Sequence, residues 1–378
     1  MRCKPFESAA AELVDESLHP LEQLSILSEK AKQLTNEGDA DAVIECRIKQ
    51  LTLQRVLSHL HHFPLQPLIR AQAALAEAYG QGGYFLQARE HLSQAKEVCN
   101  GGIYDDRQHL RLQADLLVAE GSVQLAQGQL EAAGKTLMEA ARLGRETRGE
   151  LDEEAAHVHL LLGQVASQRG DFEKAIDHLS EAWEVHDHVD GKAAEPTLRI
   201  RMQVAEAERS ANRLEAAVET VQAVVSILQH EEPQKTALLI KCSCQLAGWL
   251  EADKREAEAL EALQVAESAA EGLGEEDPQV VDVKRDMALL YIKLGRHEEA
   301  LQYLNDVHYL ERRLHGSQSS QVARTLKALG SVHLVLGKNE EAESCLRQAL
   351  RIFEIDSHNA AIVRDIHAKL ASIPAGDA

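Results

Sequence analysis

Apolar residues along this chain recur at helical spacing in runs of about four turns, and short polar turns separate the runs. The clearest stretch begins at Asp277-Pro278, where Pro suits the first turn of a helix because its missing N–H has no partner to lose there. The run QVVDVKRDMALLYIKLG then places Val280, Val283, Met287, Leu290, Tyr291 and Leu294 on one side. Gly295 stops it, and Arg296-His297-Glu298 makes a turn. A second helix is expected from Glu299 to about Leu314, facing Ala300, Leu304 and Val307 back onto the first, before His315-Gly316 closes the unit. The same order of features recurs after Gly83 (YFLQAREHLSQAK), Gly128 (QLEAAGKTLMEA), Gly170 (DFEKAIDHLSEAW) and Gly337 (KNEEAESCLRQALRIF).

Laid over one another, these units align three rows of small or apolar residues. The first row is Ala31, Ala76, Gly121, Gly163, Ala205, Ala247, Ala288 and Gly330, at steps of 45, 45, 42, 42, 42, 41 and 42 residues. Twelve residues later stand Val43, Ala88, Ala133, Ala175, Ala217, Ala259, Ala300 and Ala342. Seven further on come Gln50, Ala95, Ala140, Ala182, Val224, Ala266, Val307 and Ala349. Two helix axes approach to about 8 Å only where the contact residues are small, so the rows mark helix crossings. A period in this range signals a solenoid. That also explains how 378 residues build a continuous core without a linker, since each unit packs only on its neighbours.

The arrangement resembles the tetratricopeptide repeat. A small residue fills position 8 and Ala fills positions 20 and 27. A large apolar residue fills position 24: Leu92, Leu137, Leu179, Val221, Leu263, Leu304 and Leu346. The first unit departs, with Arg47 at position 24, and no unit has Trp at position 4 or Pro at position 32. A 42-residue period with acidic or Pro-containing turns, here LGEEDPQVVDVK and LHGSQSSQVARTLKALG, is similar to the variant in kinesin light chains and nephrocystin-like proteins. The stretches LSEKAKQLTNEGDADAV from Leu27 and LAEAYGQGGYFLQAREHLSQAKEV from Leu75 resemble the tetratricopeptide repeat protein 23 family, which implies a ciliary setting. The fold expected is an all-α, right-handed α-solenoid of about eight hairpins over residues 24–355, behind an N-terminal extension of residues 1–23. Phe6 to Asp15 reads as a short helix, and His19-Pro20 as the start of the first repeat helix. Within 356–372, Ser357 or Asn359 caps a last helix from Ala360 to Ser372. Ile362, Val363, Ile366 and Leu370 would cover the open end of the array, and 373–378 is a tail.

Composition narrows the function classes. Hydrophobic residues make 44% of the chain and aromatics 3%, which suits thin helix layers and leaves little material for an aromatic pocket. Forty Lys and Arg against 61 Asp and Glu give a net charge of −21, which opposes nucleic-acid and anionic-lipid partners. Six scattered Cys read as reduced thiols in a cytoplasmic compartment. The start MRCKPFESAAAELVDE has no secretory apolar region, and no stretch is long and apolar enough to insert into a membrane. No catalytic constellation is visible. The glycines stand singly at helix ends, as stops rather than a phosphate cradle, and Glu153-Glu154, Glu275-Glu276 and Glu298-Glu299 open helices. No metal site is expected. His59, His61 and His62 diverge around a helix end, and the pairs His157/His159, His186/His188 and Cys242/Cys244 point apart on theirs. No cofactor is implied.

In tetratricopeptide arrays, positions 2, 5, 9, 12 and 13 of each first helix line a concave groove. Position 2 reads Ser25, Arg70, Asp115, His157, Arg199, Lys241, Asp282 and Arg324; Arg285, Lys327, Arg209 and Lys293 fall at the other positions. Two readings stand: these cations pair with carboxylates of neighbouring helices, or they form a track for an acidic segment of a partner protein. The function expected is a non-catalytic protein-interaction scaffold, by resemblance an axonemal or ciliary-base component whose partners include axonemal or tubulin-associated proteins. Alternatives are a cargo adaptor like a kinesin light chain, which would need an N-terminal coiled coil, and a peptide-responsive signalling regulator, which would need a separate effector bundle. Residues 1–23 show no sustained heptads, and the repeats leave no room for such a bundle.

Overall fold

A computed structural model describes residues 18–59, 64–147, 153–232, 234–274, 277–354 and 360–373. Among these every regular element is an α-helix. The helix expected at Phe6 to Asp15 lies outside the described residues. The chain divides into two compact units, 1–212 and 213–378. The first unit contains α1 (Pro20–Glu37), α2 (Ala40–Ser58), α3 (Gln66–Gln81), α4 (Phe85–Gly101) and α5 (Asp106–Ala126). It continues with α6 (Leu130–Thr147), α7 (Glu153–Gln168), α8 (Phe172–Val189) and α9 (Glu195–Ser210). The second contains α10 (Leu214–His230), α11 (Thr236–Ala252), α12 (Glu256–Ala270) and α13 (Pro278–Lys293). It ends with α14 (His297–His315), α15 (Ser320–Val335), α16 (Asn339–Phe353) and α17 (Ala360–Ala371).

Within each unit a helix packs on its sequence neighbours, and the first helices of consecutive repeats also touch: α3 with α5 and α5 with α7, then α11 with α13. The three rows are the crossings. All the row alanines are buried, from Ala31, Ala88 and Ala175 to Ala300, Ala342 and Ala349, none more than 1% exposed. The position-24 side chains fill the space opposite: a Cβ built on Gly121, Gly163 or Gly330 would stand 2.6, 2.7 and 2.6 Å from Cγ of Leu137, Leu179 and Leu346. Glycine there lets the paired axes close by the thickness of a methyl group.

Each first helix ends on a residue in the left-handed region. At Gly295 (φ 71°) the turn is a Schellman motif: its N–H donates to Ile292 O at 3.1 Å, and Arg296 N–H donates to Tyr291 O at 2.9 Å. The same place in the fifth and sixth repeats is taken by Asn212 and Lys254, both at φ 62°. Some glycines are not stops: Gly134 and Gly144 lie inside α6 and Gly248 inside α11. At the other end, α17 sets Ile366, fully buried, with Ile362, Val363 and Leu370 against Leu346 and Phe353 of α16. Helix α14 starts two residues before the sequence pattern suggests, because Arg296 already provides its entry turn.

Candidate interaction surface

Position 2 of consecutive first helices does lie side by side. Arg70 of α3 donates from Nε to Asp115 Oδ2 of α5 at 2.9 Å. Of the other expected cations in the first unit, Arg199 pairs with Glu195 one turn earlier on α9 at 2.6 Å, and Arg209 with Glu206 at 2.7 Å. Nearby, Arg47 donates from Nη1 to Gln50 Oε1 at 2.9 Å, and burial lowers its pKa despite the charge of Glu77. Burial pushes the Glu77 carboxyl up from its ordinary value, and the positive fields of His157 and Arg47 partly offset this. The arginine at the position-24 place thus holds Gln50 of its own helix and lies in the field of Glu77 on α3.

In the second unit, Arg285 of α13 reaches Asp282 at 2.5 Å and Glu311 of α14 at 2.8 Å. Lys293 pairs with Glu251 of α11, and Lys327 with Asp365 of α17 at 2.6 Å. Lys241 and Arg324 are exposed, and neither is in an ion pair among the described residues. Beside this face the Asp286 carboxyl is raised, first by burial and then by Asp282. The surface alternates in sign rather than forming a run of cations.

Sequence reasoning missed two side-chain clusters. Glu311 is 1% exposed, and besides Arg285 it accepts the Thr325 hydroxyl of α15 at 2.7 Å, tying three helices together. The signal was present: Ala300, Leu304, Val307, Glu311 and Leu314 follow one helical stripe, and a lone carboxylate on an apolar stripe needs a partner. The second joins His159 of α7 to His178 and Glu181 of α8. His157 is not part of it, as the angular separation on the helix requires. Of the other expected non-sites, His61 and His62 lie outside the described residues, and Cys242 and Cys244 are free thiols.

Models of known families match the chain at residues 112–187 and 279–355, both as Tetratricopeptide repeat. These two stretches of the chain are tetratricopeptide repeats. Over 354 residues it is 23% identical to tetratricopeptide repeat protein 23 of Bos taurus, covering 88% of this chain and 77% of that one. The Homo sapiens protein of the same name is 22% identical over 350 residues, with the same coverage. Among solved structures the apo form of RapI superposes with a TM-score of 0.63 at 12% identity, covering 94% of this chain and 97% of that one. That likeness extends the repeat architecture beyond the two matched stretches. A tetratricopeptide repeat protein of this kind is a scaffold for protein–protein interaction, and no helix among the described residues is long and apolar enough to cross a membrane.

Proposed function

We propose that this scaffold is non-catalytic and works in the cytoplasm of a cilium or flagellum, as an axonemal or ciliary-base assembly component holding an extended or helical segment of a partner. The observation that carries the reading is the similarity to tetratricopeptide repeat protein 23 across 88% of the chain, together with the ciliary setting that resemblance implies. Affinity purification from ciliated cells followed by mass spectrometry tests it. Recovery of axonemal or tubulin-associated proteins is the expected result, and recovery of kinesin heavy chains instead would replace it with the cargo-adaptor reading.

The partner segment is acidic, and Lys241 and Arg324 are its contacts, because they are the exposed cations on the first-helix face of the second unit outside ion pairs among the described residues. Reversing both to Glu should weaken the complex well beyond the same reversal at Arg312 and Arg313, which lie exposed on the second helix α14. Both double changes alter net charge equally, so equal losses would reduce the effect to the overall field and remove the special role of the face.

A further inference from the structure

In the fourth repeat three metal-ligating side chains converge from two helices. His178 and Glu181 stand three residues apart on α8, so they share one face. His159 projects from α7 onto that face. Its Nδ1 lies 3.3 Å from Nδ1 of His178 and 2.7 Å from Oε2 of Glu181, and the three ligand atoms all lie within 4.8 Å of one another. The imidazole planes are tilted by 50° with centroids 5.4 Å apart, so the rings meet through their nitrogens rather than by stacking.

Three lone-pair donors are thus aimed at one small volume. If both rings are neutral, the single proton on His159 Nδ1 can point at Glu181 or at His178, and only a divided bond serves both. A divalent cation satisfies all three at once. In a tetrahedral site with metal–nitrogen bonds of about 2.05 Å, ligand atoms stand roughly 3.3 Å apart, which is the spacing the two imidazoles already have. The carboxylate is closer than that and would retreat by about 0.6 Å on coordination. Its side chain is 55% exposed and free to do so, whereas that of His159 is 14% exposed and held by its surroundings.

We propose that His159, His178 and Glu181 form a binding site for a divalent transition metal of the zinc class. Two imidazoles and one carboxylate favour such ions over calcium or magnesium, which prefer all-oxygen sets. Three protein ligands leave the fourth position open. His159 and His178 line a surface groove of about 330 Å³ between α6, α7 and α8, bordered by Met138, Arg142, Arg145 and Leu162, from which water or one side chain of a bound protein can complete the shell. Because the ligands come from both helices of the hairpin, the ion also clasps α7 to α8.

The test uses the full chain, stripped with a chelator and titrated with Zn²⁺ by calorimetry, and separately with Co²⁺ by visible absorption. The wild type should take up one ion that His178→Gln and Glu181→Gln lose or bind at least about tenfold more weakly, since even outer-shell changes commonly cost 10–100-fold. The Co²⁺ complex should show the intense bands of four-coordinate geometry, absent in His178→Gln. His157→Gln, two residues from the ligand on a diverging side, should leave both signals unchanged. Glu181 is exposed and His178 partly so, and circular dichroism verifies that their variants are folded; these two decide the question even if His159→Gln destabilises the hairpin. Failure of the wild type to bind either ion, or stoichiometry and affinity unchanged in His178→Gln, would overturn the proposal.

Discussion

At Gly330, two opposing effects of similar size allow the packing argument to be tested by sign rather than by degree. A Cβ at this position would lie 2.6 Å from Leu346 Cγ, 2.9 Å from Cδ2 and 3.3 Å from the carbonyl of Ala342. The nearest atom is a branch point, not the mobile end of a flexible chain, so it yields only if α16 shifts. Gly330→Ala gains about 0.5–1 kcal/mol from helix propensity and loses about 1–3 kcal/mol from overpacking. The net is a destabilisation of roughly 0–2.5 kcal/mol. Leu346 is fully buried, so Leu346→Ala alone costs about 2–5 kcal/mol. In that background the contacts with Leu346 are gone and only the 3.3 Å approach to the Ala342 carbonyl remains, so Gly330→Ala should become neutral to stabilising, by at most about 1 kcal/mol. A coupling of more than about 1 kcal/mol is therefore expected from the double-mutant cycle. Urea midpoints followed by far-ultraviolet circular dichroism, with an unchanged slope as the check on cooperativity, supply the four energies. If Gly330→Ala stabilises the wild type, glycine in the first row reflects no close approach and the reasoning fails.

Four further outcomes follow from the structure. Lys254→Gly should raise the melting temperature by the equivalent of about 0.5–1 kcal/mol, because the left-handed conformation costs a side chain about 1–2 kcal/mol and glycine's unfolded-state entropy returns part of it; no change in a thermal scan would argue against strain there. Glu311→Ala should cost about 3 kcal/mol by denaturant titration, since it strands a part-buried Arg285 and the Thr325 hydroxyl, and a loss below about 1 kcal/mol would mean the triad is replaceable by water. Burial holds the His91 and His308 pKa values below the ordinary 6.5, assisted by Arg55 and Arg312 respectively. The unfolded chain then binds more protons, so this stability is complete above about 6.5 and declines as pH falls through the folded values; His308→Gln should flatten the fall in melting temperature between pH 7 and 5. Burial pushes the thiols of Cys242 and Cys244 up to about 11 and about 12, so the folded chain should react slowly with maleimide at neutral pH while the unfolded, unreduced chain labels at all six cysteines.

Helix positions and crossings were legible in the sequence because they rest on rules that act one residue at a time. A methyl or hydrogen at a crossing, Pro278 in a first turn and Gly295 after a last one each carry their meaning without knowledge of a partner. Asn212 and Lys254 were not legible as left-handed residues. At Lys254 the same Schellman pair forms, with Lys254 N–H donating to Glu251 O at 3.1 Å and Arg255 N–H to Leu250 O at 2.9 Å, so the local preference is overridden by the turn. The pairing of Arg285 with Glu311, or His159 with His178 and Glu181, depends on rotation of one helix against another. A turn of the helix by one residue, about 100°, would separate either group. The stripe that carries Glu311 did signal a buried charge, but nothing in α14 itself names Arg285 as its partner.

The pairing of the first-helix cations changes what the surface can contribute to binding. Arg70, Arg199, Arg209, Arg285, Lys293 and Lys327 each already hold a carboxylate. For the exposed pairs such an interaction is worth about 0–1 kcal/mol, so exchanging an internal carboxylate for a partner's returns almost nothing in net affinity. Arg285 cannot exchange at all without stranding buried Glu311, and is structural on that ground. Lys241 and Arg324 face no such competition, and a carboxylate delivered to either forms a new ion pair instead of replacing an existing one. For the acidic segment proposed above, their contribution should therefore appear in both affinity and salt dependence, while the paired cations should change either only slightly.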